Sequence, residues 1–357
     1  MIEQYTITTT PKYNFPYPTT DTTFPQHFKQ LALHSLQHVQ NHSFQLNQHE
    51  IQQDNIDAHA LQLKLQPLPL KRAYEETAVA AVDTSNIKIG ETSTGTLIAV
   101  RGATVYKQKR SYRYTRIGPY IFHITENNKK EVYNTLQKTL ANPLQEQTHT
   151  ATPNLQQMPT RIANLLEKWL QTTLTKTAIN TLILFDGSLT GGTPETPIVQ
   201  MKQILETARK NNNTVMAFSK MTNLRFNGYL ITEIPLAHKP PYLIETENLK
   251  PKPPFVLFGD VYVARLTSGN YAFRLDVDKQ VPQQQQIRAI EKLLGNDHLS
   301  QSYPETLRLA HILCTFTANE VIAMKHYIAR RYGLKIINRP DMHRLLFGPF
   351  GKGEGYS

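Results

Sequence analysis

Apolar and polar positions follow two different periods along this chain. Short apolar or β-rich runs predict strands at residues 77–83, 94–106, 112–124, 180–185 and 214–219. Apolar residues spaced three and four apart predict helices at 161–174 and 198–211, and a long helix at 304–331 that is broken by Gly333. The first three strands predict an antiparallel meander. The later strand, helix and strand predict a βαβ unit, which makes part of the sheet parallel.

The remaining segments predict how the chain is organised around this core. Residues 1–76 read as an arm followed by a Gln- and His-rich segment with helical spacing, residues 77–335 as the main domain, and residues 336–357 as a Gly-rich tail. A polar stretch at 142–159 predicts a loop, and a proline cluster at 235–254 predicts a connection. Beyond it, 255–266 and 270–277 predict a β-hairpin.

Composition narrows the class of protein. The formal net charge is +11 with a pI near 9.5, which favours a polyanionic partner through phosphate contacts. No apolar run approaches the ~20 residues of a membrane helix, and the N-terminus lacks a signal sequence, so we expect no membrane partner and a cytoplasmic location. Cys314 is the only cysteine. We therefore expect no internal disulfide and no cysteine-based zinc site.

Three acidic residues occupy informative positions. Asp83 ends the first predicted strand, Glu167 lies on the predicted helix, and Asp186 ends the next apolar strand. Each residue alone is ordinary, since acids are common in turns, in helix caps and on solvated helix faces. Together they follow the order of ribonuclease-H-like nucleases. Carboxylates that converge repel one another unless a divalent cation neutralises them, and their oxygens suit Mg²⁺ or Mn²⁺.

Several segments resemble the NurA family of DNA-end-processing nucleases. Ala80-Ala-Val-Asp-Thr-Ser resembles its first motif, a strand followed by Asp-Gly-Ser, and the apolar strand with Asp-Gly-Ser-Leu at 181–189 resembles its second. Glu167 precedes Asp186 by 186 − 167 = 19 residues, which resembles the family's helical Glu. The strand ending in Ser-Lys at 215–220 and the Tyr-Pro segment with a helical His at 303–311 also resemble family landmarks.

The resemblance implies a ribonuclease-H-like α/β core, a mixed sheet flanked by helices, here with an additional N-terminal helical segment. It implies a nuclease that acts on DNA ends in recombinational repair and depends on Mn²⁺, with Mg²⁺ as the alternative. It also implies a nucleoid-associated homodimer that works with the hexameric ATPase HerA. One position departs from the family: residue 84 is Thr, where the family has Gly. Because a β-branched residue resists positive φ, we expect a different turn after Asp83.

The family match extends the candidate site beyond the three acids. His311 becomes a fourth metal ligand or a phosphate contact, although its apolar helical face also fits a core histidine. Lys220, after a strand, is a candidate contact to the scissile phosphate, or an ordinary solvated lysine. We therefore interpret Asp83, Glu167, Asp186, Lys220 and His311 as catalytic, and all of them except Lys220 as metal ligands.

The candidate nucleic-acid contacts lie in a predicted turn and on two predicted strands. Arg110, Arg113 and Arg116 interleave with tyrosines, a pattern that suits phosphate contact with base stacking but also an exposed hairpin. Tyr262 is a candidate for the cleft, although a tyrosine between two valines more often packs in the core.

Two other functions stay open at this point: a non-catalytic DNA-binding or scaffold subunit, which Thr84 favours, and an RNA-processing nuclease. A C-terminal apolar cluster is a candidate for docking on the ATPase, and equally for packing on its own domain. It comprises Leu345, Leu346, Phe347 and Phe350.

Overall fold

The computed structural model describes residues 2–8, 23–37, 44–45, 62–64, 66–140, 153–222, 224–226, 229–233, 238–247, 249, 251–269 and 271–337. Its helices are α1 (Thr23–Gln37), α2 (Lys129–Leu140), α3 (Met158–Thr177), α4 (Ile198–Lys210), α5 (Gln283–Asn296), α6 (Glu305–Cys314) and α7 (Ala318–Tyr332). The longer strands are β1 (Ile2–Thr8), β5 (Ala78–Thr92), β6 (Gly95–Gln108), β7 (Ser111–Thr125), β8 (Thr181–Asp186), β10 (Thr214–Ser219), β13 (Tyr242–Glu247), β15 (Gly259–Arg265) and β16 (Phe273–Asp278). Two-residue strands are β2 (Phe44–Gln45), β3 (Gln62–Leu63), β4 (Leu68–Pro69), β9 (Thr190–Gly191), β11 (Arg225–Phe226), β12 (Tyr229–Leu230), β14 (Val256–Leu257), β17 (Leu299–Ser300) and β18 (Tyr303–Pro304).

One large mixed sheet organises the described residues. Its order is β1-β7-β6-β5-β8-β10-β16-β15-β13-β3, with β2 added to β5 and β4 to β13. Strands β5, β8 and β10 run parallel to one another, while β5, β6 and β7 are paired antiparallel. The predicted meander, the βαβ unit and the α/β class with a mixed sheet flanked by helices are confirmed. The ribonuclease-H-like designation stays a prediction.

Both faces of the central strands are covered, which explains their unbroken apolar runs. On β5, Ala80 and Val82 pack in a core with α3, whereas Val79 and Ala81 face a second core that contains residues of α5 and α6. Along each strand successive side chains alternate between these faces. Position in the strand therefore decides on which face a polar residue lies.

The first core strand is much longer than its sequence pattern predicts. It was expected to end at Asp83, but β5 continues to Thr92, and β6 pairs with it through that extension. The extension is supported at its far end, where Ile89 is buried in a third core together with Ile328 of α7. Asp83 thus lies within a strand, and the expected turn after it does not exist.

The predicted helix at 304–331 is two helices. Helix α6 ends at Cys314 and α7 begins at Ala318. Between them Thr317 caps α7: its side chain accepts from the Glu320 N–H while the Glu320 carboxylate accepts from the Thr317 N–H. This Thr-x-x-Glu capping box starts a new helix. Gly333, at φ 67°, ends α7 as predicted.

Other predicted features have mixed outcomes. The hairpin after the proline cluster exists as β15 and β16, and the N-terminal segment contains α1. Part of the predicted 142–159 loop, the C-terminal apolar cluster (Leu345, Leu346, Phe347 and Phe350) and most of the Gly-rich tail lie outside the described residues. Among the helices that are described, none has the length and hydropathy needed to cross a membrane.

Candidate active site

Asp83 and Asp186 occupy matching positions on two parallel strands. The last pair of the β5–β8 ladder joins Val82 to Phe185, and each acid is the next residue of its strand. Neighbouring strands lie about 4.8 Å apart, and side-chain alternation directs both acids to the sheet face that carries α6. The two strands then differ, because β8 ends at Asp186 whereas β5 continues.

Lys220 is held against Asp186. It follows the last residue of β10, and Phe218 of that strand pairs with Asp186 in the parallel register. The Lys220 ammonium donates to Asp186 Oδ2 at 2.8 Å and lies 5.6 Å from the centre of the Tyr303 ring. Burial raises the pKa of Asp186, and the positive charge of Lys220 opposes that rise. A cation and a carboxylate therefore share this end of the sheet.

His311 is held against Asp83. Its Nδ1 lies 2.7 Å from Asp83 Oδ2, and the other oxygen of that carboxylate accepts from the Thr84 N–H at 2.7 Å. We expected the helix face of His311 to be buried, but half of the His311 side chain is exposed, whereas the Asp83 side chain is 7% exposed. The ring lies at the rim of the packed face, where solvent can reach it.

Glu167 approaches from the opposite face of the sheet. Helix α3 packs there, and the Thr84 hydroxyl donates to the Ala163 carbonyl at 3.3 Å, one helical turn before Glu167. Burial raises the pKa of Glu167 to about 7, and the negative charges of Asp83 and Asp186 add to that rise. The three acids thus lie within electrostatic range of one another.

Gln171 orients Glu167. Its side chain, one helical turn along α3, is buried and donates to Glu167 Oε1 at 2.7 Å. The oxygen of the same amide accepts from Lys168 at 2.9 Å. The periodicity of α3 places Gln171 near the apolar stripe, but no local signal identifies it as a partner of Glu167.

The loop that follows Asp186 is clamped by hydrogen bonds. Gly187 has φ +94°, its N–H donates to the Phe218 carbonyl at 2.9 Å, and its carbonyl accepts from Ser219 Oγ at 2.7 Å. The Leu189 N–H donates to Asp276 Oδ2 at 3.0 Å. A glycine is needed at 187, because this φ is unfavourable for other residues. The clamp fixes the backbone that carries Asp186.

A buried ion pair supports that clamp. Arg274 makes two bonds of 2.7 Å to the Asp276 carboxylate, and both side chains are almost fully buried. Asp276 therefore pairs with a cation of its own strand and accepts a hydrogen bond from the Leu189 N–H of the loop. A buried carboxylate with this many donors is held rigidly.

Two further residues belong to the site, although the sequence did not identify them. Burial raises the pKa of the Tyr303 hydroxyl, and the negative charges of Asp186 and Asp83 raise it further, so this side chain lies beside both acids. Tyr303 belongs to the noted Tyr-Pro segment, which was the available signal. Cys314 lies one turn after His311 on α6 and is fully buried.

The donor set suits a divalent cation. One ligand atom each from Asp83, His311 and Cys314 lie within 4.8 Å of one another, and Asp186 and Glu167 add carboxylates outside this tight group. Carboxylate oxygens suit Mn²⁺, an imidazole is a common metal ligand, and a cation offsets the mutual repulsion that the acids experience. The residues present therefore fit a bound metal ion.

The predicted arginine contacts do not share one surface. Asp83 pairs with Ala103 and Ala103 with Arg116, so Arg116 lies on the site's face of the sheet, two strands or about 10 Å away. Arg113 points to the other face because its position has the opposite parity. Arg110 is exposed in the turn between β6 and β7.

Tyr262 is a wrong prediction for nucleic-acid contact. Its side chain is 2% exposed in the core that contains α5, and its hydroxyl donates to Gln286 Oε1 at 2.6 Å. The alternation with two valines reflects burial on both faces of β15. A residue so enclosed cannot stack on a base.

Part of the chain matches a known protein family. Residues 77–226 match the family model of the NurA domain. The resemblance to the NurA family is thereby confirmed over these residues. Asp83, Glu167, Asp186 and Lys220 lie inside the NurA domain match, whereas Tyr303 and His311 lie beyond it. No curated protein matches the chain.

Solved structures with similar backbones were also found. The NurA nuclease from Sulfolobus solfataricus is 14% identical, with a TM-score of 0.46 over 74% of this chain and 88% of its own. Endonuclease V from Bacillus subtilis is 11% identical, with a TM-score of 0.31 over 74% of this chain and 86% of its own. The A. aeolicus Argonaute is 12% identical, with a TM-score of 0.24 over 71% of this chain and 29% of its own.

Proposed function

We propose that this chain is a metal-dependent nuclease that hydrolyses phosphodiester bonds at DNA ends. The observation that carries the proposal is the pairing of Asp83 with Asp186 at the end of one parallel ladder, with His311 bonded to the first and Lys220 to the second. The NurA domain match over residues 77–226 supports it. A carboxylate pair of this kind has a ready use in phosphodiester hydrolysis.

Asp83, Glu167, Asp186 and His311 are the residues that would hold the metal, which we propose to be Mn²⁺, with Mg²⁺ as the alternative. When bound, such an ion supplies an activated water and neutralises charge on the phosphate. Glu167 is held by Gln171, and the His311 ring is oriented by Asp83. These contacts fix the ligand positions before substrate arrives.

Lys220 and Tyr303 complete the proposed site. The Lys220 side chain is about one-third exposed, and its ammonium is bonded to Asp186 and lies over the Tyr303 ring. We assign it to a non-bridging oxygen of the scissile phosphate. If Asp186 held a cation, the Lys220 ammonium would no longer be needed as its charge partner and could contact the phosphate.

The proposed substrate is DNA, processed at its ends by exonuclease and endonuclease cleavage during recombinational repair. The net charge of +11 supports a polyanionic partner, and the proposed phosphate contacts are Arg116, on the site's face of the sheet, and Arg110, exposed in the β6–β7 turn. Arg113, on the opposite face, would contact DNA only outside the cleft. The family resemblance also motivates a homodimer that works with a HerA-like hexameric ATPase.

The test incubates purified protein with labelled single-stranded DNA and RNA, with and without Mn²⁺. We expect Mn²⁺-dependent cleavage of DNA, lost in Asp186→Asn. Cleavage of RNA alone would favour the RNA-processing alternative. Binding without cleavage would favour a scaffold subunit. Thr84 no longer favours the scaffold hypothesis, because it lies in a regular strand paired with Gly102 and disturbs no turn.

The ATPase partner is tested by pull-down of a HerA-like hexamer. We compare wild type with the Phe347→Asp, Phe350→Asp double variant. Circular dichroism checks that the variant is folded, and size-exclusion chromatography checks that it is dimeric. Retained binding in a folded double variant would exclude docking through the C-terminal apolar cluster. A monomeric wild type would contradict the homodimer.

A further inference from the structure

Three different metal-binding side chains meet where α6 packs on β5. Ligand atoms of Asp83, His311 and Cys314 all lie within 4.8 Å of one another. His311 and Cys314 are three residues apart on one helix, so their side chains lie on neighbouring parts of the same face. Bonds of about 2.0–2.3 Å from one ion to oxygen, nitrogen and sulfur would draw the three ligand atoms closer together than this limit.

The burial of the three groups resembles a pocket with one open side. Cys314 is fully buried and Asp83 is 5% exposed, while half of the His311 side chain is exposed. Solvent therefore reaches this group of ligands at the His311 ring. The sulfur lies at the closed end, out of reach of solvent.

The bonds that these groups now make are ones that an ion can replace. The Cys314 thiol donates weakly to the His311 carbonyl, at 3.2 Å. The His311 Nδ1 and Asp83 Oδ2 share one hydrogen bond of 2.7 Å. The other Asp83 oxygen keeps its bond from the Thr84 N–H, which would hold the carboxylate in place when an ion binds.

We propose that Asp83, His311 and Cys314 form a three-ligand site for a thiophilic divalent cation such as Zn²⁺. On binding, the thiol proton is released to solvent and the sulfur ligates the cation as thiolate. Thiolate and imidazole favour Zn²⁺ and Co²⁺, whereas carboxylates alone favour Mg²⁺ and Mn²⁺. A single cysteine excludes zinc sites built from several cysteines. It does not exclude this site, in which one cysteine is combined with a histidine and an aspartate.

The consequence for activity rests on the proposed nuclease function. Asp83 and His311 belong to both the thiophilic site and the proposed Mn²⁺ site, so the two ions compete for shared ligands. Zn²⁺ then inhibits Mn²⁺-supported cleavage. Cys314→Ser weakens that inhibition at least tenfold, because the serine hydroxyl is a poor ligand for Zn²⁺.

The binding test uses the absorption band that arises when a thiolate ligates Co²⁺. Because the chain has one cysteine, any such band from tag-free protein reports Cys314. Titration of the metal-free protein with Co²⁺ alone should give a band that saturates at one ion per chain, and Zn²⁺ should abolish it. The band should be absent in Cys314→Ser and in Cys314→Ala.

Variants of the other two ligands separate a built site from a reactive thiol. Asp83→Asn and His311→Ala should each weaken Co²⁺ binding at least tenfold. His326→Ala, at an exposed histidine of α7, is the matched control and should leave the band unchanged. Circular dichroism of each variant confirms that it is folded.

Two outcomes would overturn the proposal: no thiolate band in wild type, or a band that persists at full strength in folded Asp83→Asn and His311→Ala. Neither measurement needs DNA. An inactive protein that shows the band would refute the nuclease proposal alone, and an active protein without the band would refute the thiophilic site alone.

Discussion

Asp83 and Asp186 lie side by side on neighbouring strands, but the backbone of each is held in place in a different way. Around Asp83 the backbone belongs to a ladder that runs on to Thr92, so regular pairing with β6 holds the acid. Around Asp186 the strand ends, and hydrogen bonds from other elements hold the loop after it. The Asp83 side should therefore tolerate local substitutions that the Asp186 side does not.

The largest expected effect is the loss of either acid itself. Asp186→Asn and Asp83→Asn should each lower DNA cleavage by roughly a thousandfold or more, since each removes a metal-ligating charge worth several kcal/mol in the transition state. DNA affinity, measured by fluorescence anisotropy, should change little because the basic surface remains. Wild-type cleavage by either variant would remove that acid from the site.

The next prediction compares two ion pairs whose buried carboxylates lie on β16. Asp276 pairs with Arg274 and also accepts from the Leu189 N–H, whereas Asp278 pairs with Arg209 and does not contact that loop. Asp276→Asn should destabilise the fold by about 3–5 kcal/mol, because it leaves the buried Arg274 unpaired, whereas Asp278→Asn should cost less, because the Arg209 side chain is 27% exposed.

Only Asp276→Asn should also weaken Mn²⁺ binding, by roughly 10- to 100-fold, the usual cost of losing an outer contact to a metal site. Mn²⁺ titration by calorimetry at a temperature where both variants are folded makes the comparison. Equal Mn²⁺ affinity in the two variants would show that the clamp does not position Asp186.

Substitutions of the residues that follow the two aspartates should change the unfolding free energy by smaller amounts. Gly187 has φ +94°, and a methyl group there would meet none of the described atoms within 4 Å, so Gly187→Ala tests backbone strain alone. We expect it to cost about 1–3 kcal/mol in unfolding free energy. Thr84→Gly, at the equivalent place on β5, should cost about 0.5–1 kcal/mol. Chemical denaturation measures both, and a larger cost at Thr84 would reverse the comparison.

The last effect depends on pH and concerns Glu167, whose pKa is raised in part by both aspartates. Its pKa is raised to about 7 from an ordinary 4.5, chiefly by burial. A raised carboxyl pKa stabilises the metal-free fold below pH about 4.5, and that stability is lost as the pH rises through about 7. Glu167→Gln removes this dependence and can keep the bond from Gln171. Its melting temperature should therefore gain a few degrees on wild type between pH 5 and pH 8.

That measurement is made with a chelator present, because a bound cation would reverse the sign. A gap between the two melting curves that does not change with pH would mean that Glu167 ionises as freely as an exposed acid. It would then lie outside the candidate active site.

Several elements were predictable because their signals are local. The apolar run that ends at Asp186, the stripe on α3 and the Gly333 stop each depend on residues a few positions apart, and the structure retains them. The capping box of Thr317 and Glu320 was also local, and it would have divided the long predicted helix. The order of acids along the chain indicated a shared site in the same way.

What sequence by itself determined about this protein is thus the strand and helix order, the basic charge and the candidate acids. Only the tertiary structure decided how far β5 extends, that Tyr262 is enclosed, and that Cys314 and Tyr303 join the acids. The physical reason is that pairing, burial and electrostatic range depend on residues far apart in the chain. His311 and Asp83 are separated by 228 positions, and only the packing of α6 on β5 brings them within 2.7 Å.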